Sequence, residues 1–328
     1  MSKCLVSIII PCYNSEKYIS DCLDSCLDQD LEKDEYEIIC VNDGSTDNTE
    51  FILKDYAEKH SNIKYFSQEN KGISASRNVG LQYAGGEYVW FIDHDDFIES
   101  DCLKFLIKNM IEKNIELLVI DYQDIDPNVD YCRKEKNYKF HVIDSEFVNT
   151  PWRIISKREI IEKNNILFDQ EVRCAEDTLW IYQLRKHFKF VFVDSIIYNF
   201  RDVKNSESRS KDYKKNNYKA YSLLKIAAIY KKDFEQNKLN KRLSIRTDFA
   251  VQGALFTAML SRKNEIQKDI LLKAKKENLY PYKIMWKHII PNTSLKHTII
   301  NWITLLFPLE WYYKFCCKIL HYKSKRKI

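Results

Sequence analysis

Tyr88-Val89-Trp90-Phe91-Ile92-Asp93-His94-Asp95-Asp96 is the stretch on which the reading of this chain turns. Five apolar residues follow the breaker pair Gly85-Gly86 and end in three carboxylates within four positions. A short apolar run bounded in this way reads as a buried strand whose C-terminal end gathers negative charge at one point. Clustered anions must be hydrated, hydrogen-bonded or neutralised. A hard divalent cation that brings phosphate ligands of its own would relieve the repulsion. The plainer alternative is a solvated turn, with Asp96 or Ser100 capping a helix that begins near Asp101.

The same grammar extends to both sides. Leu5 to Ile10 is a buried strand stopped by Pro11, and Tyr36 to Val41 is a second. Between them Tyr18, Ile19, Cys22, Leu23, Cys26 and Leu27 recur at helical spacing, with Asn14 or Ser15 as N-cap. A helix is expected over 49–59, where Asp47 and Glu50 are spaced like a capping box. A strand over 63–66, a helix over 73–83, the strand 87–92, a helix from Leu103 and a strand over 116–121 follow. Strands alternating with helices predict an α/β fold, a mainly parallel, doubly wound sheet that binds ligands beyond its strand C-termini. The signal fades over 124–147, returns as a helix over 157–164 and ends in a strand over 190–198. Lys-rich helices are then expected over 211–235, 239–262 and 264–278. The organisation predicted is a nucleotide-binding α/β domain over 1–205 and a basic helical region over 206–328.

Charge supports that division. The net charge of +5 conceals 23 Lys and Arg against 37 Asp and Glu in residues 1–200, and 29 against 10 afterwards. An acidic half suits a metal, and a basic half suits an anionic partner. The ten cysteines form no C-x-x-C pair and sit mostly inside apolar patterns, as expected of reduced thiols in a cytoplasmic protein without a zinc site. The strand that begins almost at the N-terminus leaves no room for a signal peptide. The tail over 298–313 is apolar and aromatic but interrupted by Asn301, Pro308 and Glu310, short of the ~20 clean apolar residues of a spanning helix. Lys314, Lys318, Lys323, Lys325, Arg326 and Lys327 follow it. Residues 298–328 therefore read as a peripheral membrane contact on the inner face of the cytoplasmic membrane, or as a helix docked on the protein itself.

Three strand ends carry polar groups suited to one ligand: Pro11-Cys12-Tyr13-Asn14, Asn42-Asp43-Gly44-Ser45 and Asp93-His94-Asp95-Asp96. Tyr13 can stack on a base, Asp43 can accept a base N–H or a ribose hydroxyl, and Asp95 can hold a metal on a diphosphate. Each alone has a bland reading, as turn or core. Together, at successive βα ends, they point to one site.

At these residues the chain resembles the inverting glycosyltransferases of family 2, which have the GT-A fold and include bacterial surface-polysaccharide enzymes. The matching stretches are Val6 to Asn14, Val41 to Asp47, Asn70 to Asn78, Phe91 to Asp96 and Ala175-Glu176-Asp177. The resemblance implies a nucleotide-sugar donor, UDP-linked, with Tyr13 and Asp43 at the base, Asp93 at the ribose, Arg77 near the nucleotide and Pro11 also among the donor-binding residues. It implies Mn²⁺ or Mg²⁺ on Asp95, with His94 in the variable middle of the D-x-D motif. It makes Asp177 the general base and sets Glu176 beside the acceptor or donor sugar. A cation stabilises a departing diphosphate as a Lewis acid. An acceptor hydroxyl needs a base on the opposite face, so the anomeric centre inverts. Without the resemblance, Glu176 and Asp177 read equally as helix N-terminal acids favoured by the dipole.

The expected acceptor is a glycan or lipid-linked glycan in lipopolysaccharide, capsule or exopolysaccharide assembly, and no nucleic acid. Arg201 and Arg209 suit either a lid over the diphosphate or a charged linker. Two departures from the family pattern bear on the sugar moved: Trp152-Arg153-Ile154, where relatives often carry an aromatic followed by Asn-Lys, and Ala175, where they often have Gly or an aromatic. The alternatives are a sugar-phosphate nucleotidyltransferase, which lacks its Gly-rich triphosphate loop here, and a non-catalytic nucleotide- or membrane-binding protein on the same core.

Overall fold

The computed structural model describes residues 3–125, 140–143, 148, 150–201 and 213–236, and a few positions between 250 and 279. The chain divides into two compact units, one of residues 1–170 and 176–209, the other of 171–175 and 210–328.

The first unit is built on a nine-stranded sheet. Its parallel half orders β3 (Ile63–Ser67), β2 (Tyr36–Asn42), β1 (Val6–Cys12) and β4 (Tyr88–Phe91) side by side. Beyond β4 the sheet becomes mixed. The strand β8 (Ile154–Lys157) runs antiparallel to both β4 and β6 (Leu117–Ile125), and β6 is parallel to β9 (Phe190–Arg201). Two short strands, β5 (Phe97–Ile98) and β7 (Phe140–Ile143), pair antiparallel with β9. The mainly parallel reading thus holds for the half that carries the first three strand ends. The antiparallel members come from the stretch where the pattern weakens.

Alternate residues of the central strands feed two separate cores. Ile8 and Ile10 of β1, Ile38 and Cys40 of β2 and Trp90 of β4 pack on one face, with α1 (Ile19–Leu27) and α4 (Leu103–Glu112). Ile9, Ile39, Val41, Val89 and Phe91 pack on the other, with α3 (Ile73–Tyr83), α5 (Arg158–Lys163) and α6 (Glu176–Arg185). Burial on both faces is why these strands read as continuous apolar runs rather than alternating ones. Helix α2 (Thr49–Lys59) covers the edge near β3.

Three local expectations are corrected. Strand β1 does not stop at Pro11 but runs to Cys12. Ile9 bonds toward β4 and Cys12 toward β2, so alternation turns the Pro11 nitrogen toward β4, whose pairing with β1 has already ended at Phe91. Neither Asp96 nor Ser100 caps α4. Its first amides are taken by side chains from the segment after α1, with Gln29 Oε1 accepting from Cys102 and Leu103 and Asp30 Oδ1 from Lys104. Asp47 accepts from the Thr49 amide and hydroxyl, and Glu50 pairs with Lys54, so no capping box forms at α2.

In the second unit α7 (Tyr213–Gln236) is the one long described helix. Ser222 Oγ on this helix accepts from the Arg173 and Cys174 amides, and Lys225 pairs with Glu171 at 2.6 Å. These contacts are why 171–175 group with it. Most of the helices expected over 239–262 and 264–278, the linker residue Arg209 and the whole 298–328 segment lie outside the described residues. Among the described residues no helix is long and apolar enough to cross a membrane.

Candidate active site

The β1 and β2 ends are knotted together. Asn14 adopts a left-handed φ of 49°, which an Asn tolerates better than most residues. Its Oδ1 accepts from the Thr46 amide at 2.9 Å, while its own N–H reaches Ser45 Oγ at 3.0 Å. The Tyr13 ring beside it is left 46% exposed, a free aromatic face at the strand end. Asp43 is buried, and its carboxylate organises the loop that leads into α3. Oδ1 accepts from Gln68 Nε2 at 2.7 Å and from the Lys71 amide at 2.9 Å, and Oδ2 from the Gly72 amide at 2.8 Å. Gly44 next to it has φ +70°, and a Cβ there would stand 2.9 Å from the Asn70 nitrogen. Only glycine fits that turn.

The acidic run after β4 separates into different jobs. Asp93 accepts from Arg77 Nη2 at 3.2 Å, and its amide donates to the Tyr198 hydroxyl at 3.1 Å. His94 Nδ1 lies 3.2 Å from the Pro11 carbonyl, tying the β4 end to the β1 end. Asp96 is fully buried. It takes the Tyr198 hydroxyl at 2.6 Å and the Arg201 amide at 2.8 Å. Burial and the neighbouring Asp93 and Asp95 push it up to about 8 against those two hydrogen bonds. Asp95 is the member of the run whose carboxylate has no side-chain hydrogen bond among the described residues. Burial, with Asp93 adding to it, raises its pKa against the pull of His94 and Arg201.

Arg77 joins this end of the sheet to the fourth motif. Gly80, one turn on, lets α3 lie hard against β1, since a Cβ there would come within 2.2 Å of Ile9 Cγ2. That approach encloses Arg77, whose side chain is 2% exposed. Its Nη1 donates to Asp177 Oδ1 at 2.5 Å, Nη2 to Asp93 Oδ1 at 3.2 Å, and Glu176 Oε1 stands 3.7 Å from Nη1. The guanidinium lies 5.0 Å over the Phe168 ring. Asn78 holds that ring in place by gripping the Phe168 backbone with both ends of its amide, at 2.8 and 2.9 Å. Phe168 in turn stacks on Trp180 of α6 at 4.8 Å, and Phe91 meets both edge-on. Trp180 is one helical turn after Asp177, so the aromatic layer that anchors α6 also aims its first turn at Arg77.

One buried cation therefore serves three carboxylates. Burial raises Glu176 to about 7, helped by Asp177 and opposed by Arg77. Burial also raises Asp177, with Arg77 pulling it down and Asp93 pushing it up. Burial thus holds both carboxyls above their ordinary range, and the two titrate as a pair beside Arg77. These same charges hold the Arg77 guanidinium firmly protonated.

For a divalent cation the fit is partial and chemically sensible. Among the described residues no group of three or more His, Cys, Asp or Glu is arranged to hold a metal. Among the described residues Asp95, partly buried and in no salt bridge, is the donor available. Mg²⁺-like ions commonly take one or two protein carboxylates and complete their shell with water and substrate phosphate.

Of the expected residues, Tyr13, Asp43, Pro11, Asp93 and Asp95 lie at three neighbouring strand ends, while Asp93, Glu176 and Asp177 converge on Arg77. Arg201 is not poised as a lid. Its guanidinium pairs with Asp21 at 2.8 Å and lies over the Phe97 and Tyr18 rings. Trp152 is buried and stacks on Tyr198 at 4.3 Å, so it supports the site from behind. Ala175 has φ +63°, the left-handed region that glycine favours and an L-residue adopts only at a cost. The supporting residues Phe168, Asn78, Gln68 and Tyr198 escape sequence reading. Asn78 alone carried a signal, as the neighbour of Arg77 in the motif.

Residues 7–183, more than half of the chain, match the family described as "Glycosyl transferase family 2". The chain is 32% identical over 216 residues to the uncharacterized glycosyltransferase EpsJ of Bacillus subtilis (strain 168), covering 62% of each protein. It is 33% identical over 179 residues to the poly(ribitol-phosphate) beta-N-acetylglucosaminyltransferase TarS of Staphylococcus aureus (strain Mu50), covering 53% of this chain and 31% of TarS. It thus spans under two thirds of EpsJ and about a third of TarS. A crystal structure of S. aureus TarS 1–349 in complex with UDP-GlcNAc superimposes with a TM-score of 0.57 at 22% identity, covering 85% of this chain and 93% of that one. The mannosyltransferase PcManGT of Pyrobaculum calidifontis, in complex with GDP-Man and Mn²⁺, superimposes with a TM-score of 0.51 at 16% identity, covering 85% of this chain and 88% of that one. These likenesses establish a GT-A glycosyltransferase fold.

Proposed function

The chain belongs to glycosyl transferase family 2, and from that premise we propose that it moves a sugar from a nucleotide-sugar donor, UDP-linked, to an acceptor hydroxyl with inversion. The observation that carries the proposal is the Arg77 bridge. It sets Asp177 and Asp93 on two sides of one guanidinium, which brings the candidate base to the strand end that ends in Asp95. A donor lying across the strand ends would meet Tyr13 and Asp43 with its base and Asp93 with its ribose.

A divalent cation on Asp95 would neutralise charge on the diphosphate leaving group. The remaining chemistry falls to side chains. Asp177, in its ionised form, takes the acceptor proton while the acceptor oxygen attacks the anomeric carbon. The carbon–oxygen bond to the diphosphate breaks with its electron pair on the departing group. A positioned carboxylate base contributes about 10²–10⁴-fold to such a step. The inverting outcome rests on attack from the face opposite the leaving group.

Relatives named for poly(ribitol-phosphate) substrates, together with the basic half after residue 200, favour an anionic or lipid-linked glycan as acceptor. Cell-surface polymer assembly at the cytoplasmic membrane is the setting proposed.

The test is transfer from a panel of UDP- and GDP-sugars with Mn²⁺, for the parent, Asp95→Ala and Asp177→Asn. Asp177→Asn is expected to lose at least about 10²-fold in kcat with UDP affinity kept. Asp95→Ala is expected to lose the cation-dependent part of UDP binding. Variants as active as the parent would reject the assignment.

A further inference from the structure

We propose that Arg77 is a positioning residue for the base: it fixes the orientation of the Asp177 carboxylate and acts through it, not as a ligand of the nucleotide. The inference rests on the function proposed above and deepens it at the same site.

The family resemblance alone would set Arg77 beside the nucleotide, and its surroundings argue otherwise. A side chain 2% exposed, with Nη1 committed to Asp177 at 2.5 Å and Nη2 to Asp93 at 3.2 Å, has little left to offer a diphosphate. Its Nε is buried without a partner, so the group faces protein on its third side as well. The guanidinium is a rigid plane, and the plane is held from below. Phe168 lies under it at 5.0 Å, and Asn78, the next residue on α3, clamps the Phe168 backbone. Phe168 also stacks on Trp180, which shares α6 with Asp177. Arg77 and Asp177 are therefore seated on one aromatic layer and cannot drift independently. Holding a reacting group within a fraction of an ångström is worth about 10²-fold in rate, which is the scale at stake.

Among the described residues, the charged groups facing Asp177 are Arg77 from α3, Asp93 from the β4 end and Glu176 on its own helix. Arg77 is the single cation among them. Deleting it leaves two acids facing the base, which then binds its proton more tightly.

Arg77→Met, Arg77→Lys and Phe168→Leu, made in the full chain, test the proposal by kcat, donor KM, UDP affinity by calorimetry and the kcat–pH profile. Arg77→Met is expected to lower kcat by about 10²-fold, leave UDP affinity within about threefold, and move the acid limb of the profile upward. Arg77→Lys is expected to restore the profile but not the full kcat, because one ammonium cannot bridge two carboxylates in a fixed plane. A fall in UDP affinity of about tenfold with kcat kept would overturn the proposal and return Arg77 to the nucleotide. Should Arg77→Met not fold, Phe168→Leu keeps every charge and loosens only the seat. A kcat loss of about three- to tenfold at constant UDP affinity supports the proposal, and an unchanged kcat overturns it. If the parent binds no nucleotide and transfers no sugar, the functional reading fails, and the inference is still read separately. Titration of the Asp177 carboxyl by carbon NMR in the parent and in Arg77→Lys and Phe168→Leu reports it directly. Equal midpoints and line shapes in all three overturn it, and a shifted or broadened Asp177 signal supports it.

Discussion

Tyr198→Phe removes one oxygen atom from the protein and is expected to be costly. The Tyr198 ring is wholly buried and stacks on Trp152 at 4.3 Å, a contact that Phe retains. The hydroxyl donates to Asp96 Oδ2 at 2.6 Å and accepts from the Asp93 amide at 3.1 Å. It thereby pins β9 to the turn that presents the acidic run. A hydrogen bond to a carboxylate contributes about 1.5–3 kcal/mol and a neutral one about 0.5–1.5, so the pair amounts to about 2–4 kcal/mol. That is a large share of the 5–15 kcal/mol typical of a domain. Urea unfolding at pH 9, above the value of about 8 to which Asp96 is pushed and so with its carboxylate ionised, measures it, with donor KM recorded alongside. KM should rise, since Asp93 loses the anchor of its amide. Repeating the substitution in an Asp96→Asn background closes a double-mutant cycle, in which the loss should shrink by at least ~1 kcal/mol. A loss under about 0.5 kcal/mol, the size of an ordinary surface change, would refute the reasoning.

Other substitutions test other links. Glu176 is raised to about 7 from 4.5, so the folded protein gains stability from its proton below about 4.5 and loses it as pH rises through 7. Glu176→Gln should therefore gain on the parent between pH 5 and 8, by on the order of 2 kcal/mol, in thermal or urea unfolding; a constant difference across that range would remove Glu176 as the source. Ala175→Gly relieves a left-handed φ that costs an L-residue about 1–2 kcal/mol, partly offset by the extra freedom of unfolded glycine; calorimetry should show a net gain of about 0.5 kcal/mol, and a comparable loss would mean the loop is not strained. Gly80→Ala drives a Cβ to within 2.2 Å of Ile9 Cγ2 and should cost about 1–3 kcal/mol, with α3 and Arg77 displaced; wild-type stability and kcat would contradict the close approach.

The α/β alternation was legible because each strand of the parallel half is buried on both faces and so reads as an unbroken apolar run. Ile9 and Ile10 point into different cores, and neither position tolerates a polar residue. Helices over 49–59 and 73–83 match their expected bounds because spacing and glycine punctuation agree there. Less legible were β6 to β9, where direction depends on which strand lies alongside. The short run Ile154–Lys157 contains nothing to say that it will run antiparallel between β4 and β6. Spacing and composition located the acidic run, and roles within it came only from the family resemblance. Asp93, Asp95 and Asp96 look equivalent in one dimension, and only the Tyr198 hydroxyl and the Arg201 amide, about a hundred residues away, claim Asp96 for the interior.

Residue order alone determined which groups are presented at each strand end, because a strand's apolar run must be buried and its polar successor must emerge where the run stops. The tertiary structure decided which of those groups meet. Arg77 and Asp177 are 100 positions apart and touch at 2.5 Å because α3 and α6 share one aromatic layer. Contact between such distant residues depends on how packed surfaces fit, and that complementarity is written in pairs of elements rather than in any single stretch of chain.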